Sequence, residues 1–265
     1  MKIFFLLPAA FDSLSQTATA QTITEDFTSG LGLFTALSST DTSTSTGRLE
    51  FVNTNNQGAG VTFDLNDAFG AGFSNFAESP LFFQFNTLVP APSSAQDELG
   101  FFFGPFANQA QSSSITNGQN TNGFTFFFND GGLVVPNNNQ GPDANDTSPQ
   151  TFTLLNGLNT GSQLTLGVEW SLVPAQNTGQ FNSIFTLTAS DTSGVLASQT
   201  FNGAVNQGIT NIDNFQFTAS TTQGLTGSID DFTVSTDPIT SIPEPSSFLL
   251  SLIGLPALFW RRRHA

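Results

Sequence analysis

Apolar residues recur at every second position in short runs along this chain, and that period constrains the fold more than any other feature. The clearest run is Leu164 to Leu172. Leu164, Leu166, Val168, Trp170 and Leu172 fall on one face, and Thr165, Gly167, Glu169 and Ser171 on the other. A period of two marks a strand with one buried face; a helix would repeat near 3.6. Similar alternation runs through Leu49–Asn53, Val61–Leu65, Leu81–Leu88, Leu99–Phe103, Phe124–Phe128, Phe152–Leu154, Ile184–Ala189, Phe215–Phe217 and Ile229–Val234. Turn formers such as Asn129-Asp130-Gly131-Gly132 and Asp191-Thr192-Ser193-Gly194 lie between them. Thr40–Thr46 and Asn129–Pro149 read as loops, the second carrying Asp130, Asp143 and Asp146. No helical stretch precedes the C-terminal tail. The pattern predicts an all-β chain, an antiparallel two-sheet sandwich.

Phe supplies the core. The chain has 30 Phe, 25 of them between residues 21 and 242. Each is worth roughly 1.5–3 kcal/mol when buried, so a folded body is expected although only 9% of residues are charged. Trp170, in phase with aliphatic residues, is assigned to the core.

Charge narrows the function. Between Gln21 and Ile242 there are 18 acids and one cation, Arg48, a formal charge of −17. Nothing there could grip phosphates, so nucleic acid is excluded as a partner. With no Cys, and with His264 as its one His, the body has no thiol nucleophile, no Cys or His metal site and no Ser–His–Asp triad.

The two ends read as addresses. Lys2, the apolar run Ile3–Phe11 and the small-residue site Ala18-Thr19-Ala20 form a secretory signal peptide over residues 1–20, with cleavage leaving Gln21 first. At the other end, residues 236–242 form a linker. Pro243-Glu244-Pro245 then leads to the apolar run Phe248–Trp260 and to Arg261-Arg262-Arg263. As a helix, that run would span about 20 Å, short of the roughly 30 Å hydrocarbon core, with the Arg cluster holding it on the cytoplasmic side. Residues 243–265 resemble the PEP-CTERM sorting signal of exported bacterial proteins. The resemblance implies a short C-terminal transmembrane helix that anchors the precursor transiently in the inner membrane. It also implies an exosortase-type processing enzyme as partner, and export to the cell surface or extracellular matrix of a Gram-negative type bacterium.

The edges of the body carry a second resemblance. Thr24-Glu25-Asp26-Phe27-Thr28-Ser29-Gly30, with Gly47-Arg48-Leu49-Glu50-Phe51, resembles the opening strands of concanavalin A-like (LamG or glucanase) jelly rolls. Gly227-Ser228-Ile229-Asp230-Asp231-Phe232-Thr233-Val234 resembles their closing strand. The expected domain is a jelly roll over residues 21–235. The resemblance implies a structural Ca²⁺ between first and last strands, with ligands from Glu25 or Asp26, the backbone near Gly47, and Asp230 or Asp231.

Catalysis is not expected. Glucanases of that group carry Glu-x-Asp-x-x-Glu on one strand, and the string is absent. Asp97 and Glu98 are adjacent and would point to opposite faces of a strand. They, like the lone Glu169, read as solvated surface acids. Three Phe fall out of phase with their strands: Phe82, Phe102 and Phe127. They are expected to form an apolar platform for a glycan or protein partner. The sequence points to an exported, non-catalytic β-sandwich that binds or supports extracellular polysaccharide. A secreted carbohydrate-active hydrolase and a purely structural matrix protein are the alternatives.

Overall fold

The computed structural model describes residues 21–37, 40–54, 59–69, 80–91, 98–105, 124–129, 132–136, 151–174, 181–202, 215–222 and 224–239. The signal segment and the sorting tail lie outside the described residues, as do Asp97, Asp130, Asp143 and Asp146. Among the described residues no helix is long and apolar enough to cross a membrane.

Two antiparallel sheets form the body. The eight-stranded sheet contains β1 (Thr22–Glu25), β3 (Thr40–Ser43), β4 (Leu49–Asn53), β6 (Leu81–Leu88), β11 (Gln163–Pro174), β12 (Phe181–Asp191), β13 (Gly194–Asn202) and β15 (Thr226–Ser235). Its order is β13-β12-β11-β6-β15-β4-β3, with β1 also paired to β15. The seven-stranded sheet is built from β2 (Phe34–Ala36), β5 (Ala59–Asp64), β7 (Leu99–Pro105), β8 (Phe124–Asn129), β9 (Gly132–Pro136), β10 (Thr151–Leu155) and β14 (Phe215–Thr221), ordered β10-β9-β8-β7-β14-β5-β2. A five-residue helix, α1 (Leu65–Phe69), follows β5.

The alternation read from sequence is the burial pattern of the strands. In β6, Leu81, Phe83, Phe85 and Thr87 are buried and the residues between are half-buried. In β11, Leu164, Leu166, Val168 and Trp170 face the core. Phe232 of β15 ties the two sheets together. Its ring lies 5.0 Å from Phe34, 4.9 Å from Phe63 and 5.1 Å from Phe217, all on the seven-stranded sheet. These edge-on and tilted geometries are those aromatic rings favour.

Strict alternation would put Ile229 and Phe232, three positions apart, on opposite faces. Both are fully buried. A bulge resolves the conflict: the register against β6 shifts between Asp230 and Thr233, and Asp231 adopts φ 47°. The extra residue turns Asp230 and Asp231 outward and returns Phe232 to the core.

Five elements depart from the sequence reading. Thr40–Ser43 is a strand, not part of a loop, and β9 falls inside the expected loop Asn129–Pro149. The three-residue β2 and the single-turn α1 are too short to show a period. Most of β13 is exposed on both faces, so its sequence does not alternate.

Candidate functional site

The outer face of the seven-stranded sheet gathers the mixed polar and aromatic surface that a ligand site needs. Its residues follow from register. Phe102 lies opposite Thr218 on one side and Thr125 on the other, and Thr218 opposite Thr62. That row reads Thr62, Thr218, Phe102, Thr125 across four strands. One pair along, Gly60, Ser220, Gly100 and Phe127 form the next row. Gly60 is required by packing, because a Cβ there would meet the carbonyl of Ala219 in the neighbouring strand. Gly60 and Gly100 flank Ser220 in that row, and both are buried.

The two halves of this face differ. On β8 and β9, Thr125, Phe127 and Val134 are buried to 6%, 2% and 4% exposure. On β5, β14 and β7, Thr62, Asp64, Phe102, Gln216, Thr218 and Ser220 are half-buried and reachable. At one end of this open half, Gln216 Nε2 donates to Asp64 Oδ2 at 3.1 Å. At the other end is Glu98, two residues before Gly100 and in phase with it. Its backbone N–H donates to Thr222 Oγ1 (3.1 Å) and its carbonyl accepts from Thr222 N–H (3.0 Å), which extends the β7–β14 ladder by one pair. Burial pushes the Glu98 carboxyl up to about 7. It is therefore not the solvated surface acid expected from sequence. No residue pattern signals this, because the burial comes from the fold.

Asp64 shares a row with Gly104, and Glu98 lies six residues back along β7. At about 3.3 Å per residue the two carboxylates are ~20 Å apart. Glycoside hydrolysis needs a pair roughly 5–10 Å apart, so these two cannot act together on one bond. Glu169 is exposed on the outer face of the other sheet.

The three Phe expected to form one platform do not share a face. Phe82 lies on the eight-stranded sheet, opposite Glu169 and Ser235. Phe102 and Phe127 lie on the seven-stranded sheet, and Phe127 is buried. Phase within one strand cannot say which sheet that strand joins, nor whether an out-of-phase ring such as Phe127 is covered.

The expected calcium ligands are likewise engaged elsewhere. Glu25 Oε1 accepts from Leu33 N–H (3.1 Å), with its carboxylate lying against Gly32, where a side chain would collide with it. Asp26 Oδ1 accepts from the N–H and hydroxyl of Thr28 (3.0 and 2.9 Å), which hold its carboxyl below the usual range. Asp230 Oδ2 pairs with Arg48 at 3.6 Å. Asp231 Oδ2 accepts from Asn86 Nδ2 at 2.9 Å, and Asn86 Oδ1 accepts from the Thr165 hydroxyl at 2.6 Å. Among the described residues no three His, Cys, Asp or Glu side chains gather as a metal site requires. The positive charge beside Asp230 in this arrangement is the Arg48 guanidinium. Gln21, expected as the mature N-terminus, is paired with the last strand's continuation through Thr236 (3.0 Å in each direction). Ala18, Ala20, Pro243, Glu244, Pro245, Arg261, Arg262 and Arg263 lie outside the described residues.

No protein-family model and no curated protein sequence matches the chain. Among solved structures it is similar to the acidic lectin of winged bean, at 15% identity and TM-score 0.47, covering 82% of this chain and 98% of that one. It is also similar to the carbohydrate recognition domain of Emp47p (11% identity, TM-score 0.46, 82% and 95% covered). A protein of unknown function from Shewanella oneidensis MR-1 gives 13% identity and TM-score 0.48, with 91% and 100% covered. At these scores the similarities add nothing to the strand order and register above.

Proposed function

We propose that this chain is an exported, non-catalytic β-sandwich of the concanavalin-like kind, which binds neutral polysaccharide through the open half of its seven-stranded sheet. The observation that carries the reading is the half-buried Phe102 ring. It is set in a row of hydroxyls beside Ser220, with Gln216–Asp64 at one end and Glu98 at the other. A ring for the apolar face of a sugar, hydroxyls and an amide for its oxygens, and a length of ~20 Å suit an extended oligosaccharide. The body charge of −17 repels acidic polymers and leaves neutral ones as the ligand class. Export and exosortase sorting complete the proposal and rest on the two terminal segments of the sequence. Intact mass of the protein from cell surface and medium tests that part. A species running from Gln21 to the Pro243–Pro245 motif supports it, and one retaining Phe248–Ala265 contradicts it.

The binding reading is tested by native gel electrophoresis through soluble neutral glucans, mannans and galactans. At least one gel should retard the protein. Phe102→Ala should lose the retardation, while Phe82→Ala, which removes a ring of similar burial, keeps it. Free migration through every gel, or equal loss in both variants, contradicts the assignment.

A further inference from the structure

The open half of the seven-stranded sheet ends on a carboxylic acid whose direction the backbone fixes. Thr222 holds Glu98 through both its N–H and its carbonyl, at 3.1 and 3.0 Å. Leu99, the next residue, is fully buried in the core, so alternation turns the Glu98 side chain to the outer face. It is half-buried there. Along β7 the outward positions are Glu98, Gly100 and Phe102, which sets Glu98 ~13 Å from Phe102. Thr222, Ser220 and Thr218 run beside them.

The neighbours of Glu98 are neutral. Thr222 and Ser220 face it from the β14 side, and the register of β7 with β8 continues to Asn129 on the other. Among the described residues of β5, β7, β8, β9 and β14, the charged side chain is Asp64, ~20 Å away at the opposite end. Asp97 and Asp130 lie outside the described residues. Burial raises the Glu98 carboxyl to about 7. Below that pH it is an acid with a proton to give; above it, it only accepts.

That difference selects among the oxygens of a sugar. A hydroxyl both donates and accepts, so it suits either form of the carboxyl. An oxygen that only accepts is served by the acid alone. Ring and bridging oxygens are of that kind but lie within the sugar chain, whereas the carbonyl of an acyl group projects from it. We propose that Glu98, as the acid, donates to the carbonyl oxygen of such a group, which makes O-acetylated neutral polysaccharide the preferred ligand of the open half. The inference rests on the binding reading above and adds its substrate class. Once ionised, Glu98 sets a half-buried negative charge against that carbonyl oxygen, and the preference goes. It is full at low pH and is lost as pH rises through 7.

The glucans, mannans and galactans of the binding test serve again, each cast in native gels as an O-acetylated and an alkali-deacetylated form, at pH 5.5 and 8.5. The wild-type chain should bind an acetylated form about fivefold more tightly at pH 5.5, the worth of one net hydrogen bond. At pH 8.5 it should bind both forms equally, with an unchanged circular dichroism spectrum. Glu98→Gln, whose amide donates at either pH, should keep the preference at both. Glu169→Gln, which removes an exposed acid from the other sheet, should behave as wild type. Equal retardation by the two forms at pH 5.5 overturns the inference and leaves the binding reading standing. So does a wild-type preference that persists at pH 8.5, or one that Glu98→Gln also loses there. Free migration through every gel at both pH values overturns the binding reading as well.

Discussion

On the outer face of the eight-stranded sheet the side chains bond to one another. Thr186 meets Thr200 at 2.9 Å, Thr188 meets Ser198 at 2.9 Å and Thr22 meets Ser235 at 2.9 Å. Asn86 links Thr165 to Asp231. On the seven-stranded sheet the outer face carries rings and glycines, half of it buried and half open around Phe102. A ligand meeting the first face would have to compete with hydrogen bonds already made, for little net gain. On the second it would find a half-buried ring among half-buried hydroxyls. One sandwich thus separates a self-satisfied face from a receptive one, although both faces are written in Thr, Ser and Phe.

The largest effect that sharpens this contrast concerns the two outward rings outside the open half. Phe127→Ala should cost about 3–5 kcal/mol, the loss typical of a buried Phe. Phe82→Ala, at a half-buried ring, should cost about 1 kcal/mol. Urea denaturation of both variants checks this, and equal costs would erase the difference between the faces.

A smaller effect comes from Glu98, at the rim of the receptive face. Its pKa is raised from the ordinary 4.5 to about 7, so the native state holds a proton that the unfolded chain releases earlier. The stability linked to that proton is full below pH 4.5 and is lost as pH rises to 7. Glu98→Gln removes the loss. Above pH 7 it should gain ~1–2 kcal/mol, a figure that allows for solvent screening of a half-buried group, and at pH 4 it should gain nothing. Thermal melts across that range read the sign, and a variant equally stable or weaker at pH 8 contradicts it.

The smallest effect belongs to the polar strip of the eight-stranded sheet. The Arg48–Asp230 pair is 3.6 Å long and about one-fifth exposed, which makes Arg48→Gln worth about 1 kcal/mol. Millimolar CaCl₂ should leave the melting temperature of the wild type unchanged. A clear upward shift would restore a cation site between the first and last strands.

The strands with a buried face were legible because burial on one side writes an alternating sequence; Leu49–Asn53 and Leu81–Leu88 were found to the residue. β13 was not, because an edge strand wet on both faces has nothing to alternate. The bulge at Asp230 was also hidden, since only the shared burial of Ile229 and Phe232 reveals that one residue must be looped out. The candidate site was legible in fragments. Phase showed that Phe102 points outward, but Thr62, Asp64, Gln216 and Thr218 reach it only through strand pairing across more than 100 residues of sequence. The raised Glu98 carboxyl and the Arg48 pair are products of tertiary packing and leave no local trace.

One feature of the sheet order sets the timetable of folding. β15 lies between β6 and β4, pairs as well with β1, and carries Phe232, the ring that joins both sheets. Among the described strands it is also the last in chain order. Until residue 235 is free, β1 has no partner in this order and the aromatic core lacks its centre. Closing the sandwich therefore rests on contacts between β1 and β15, whose high sequence separation makes them slow to form. A sandwich built this way stays pliable until β15 is in place, and its folding waits on that strand.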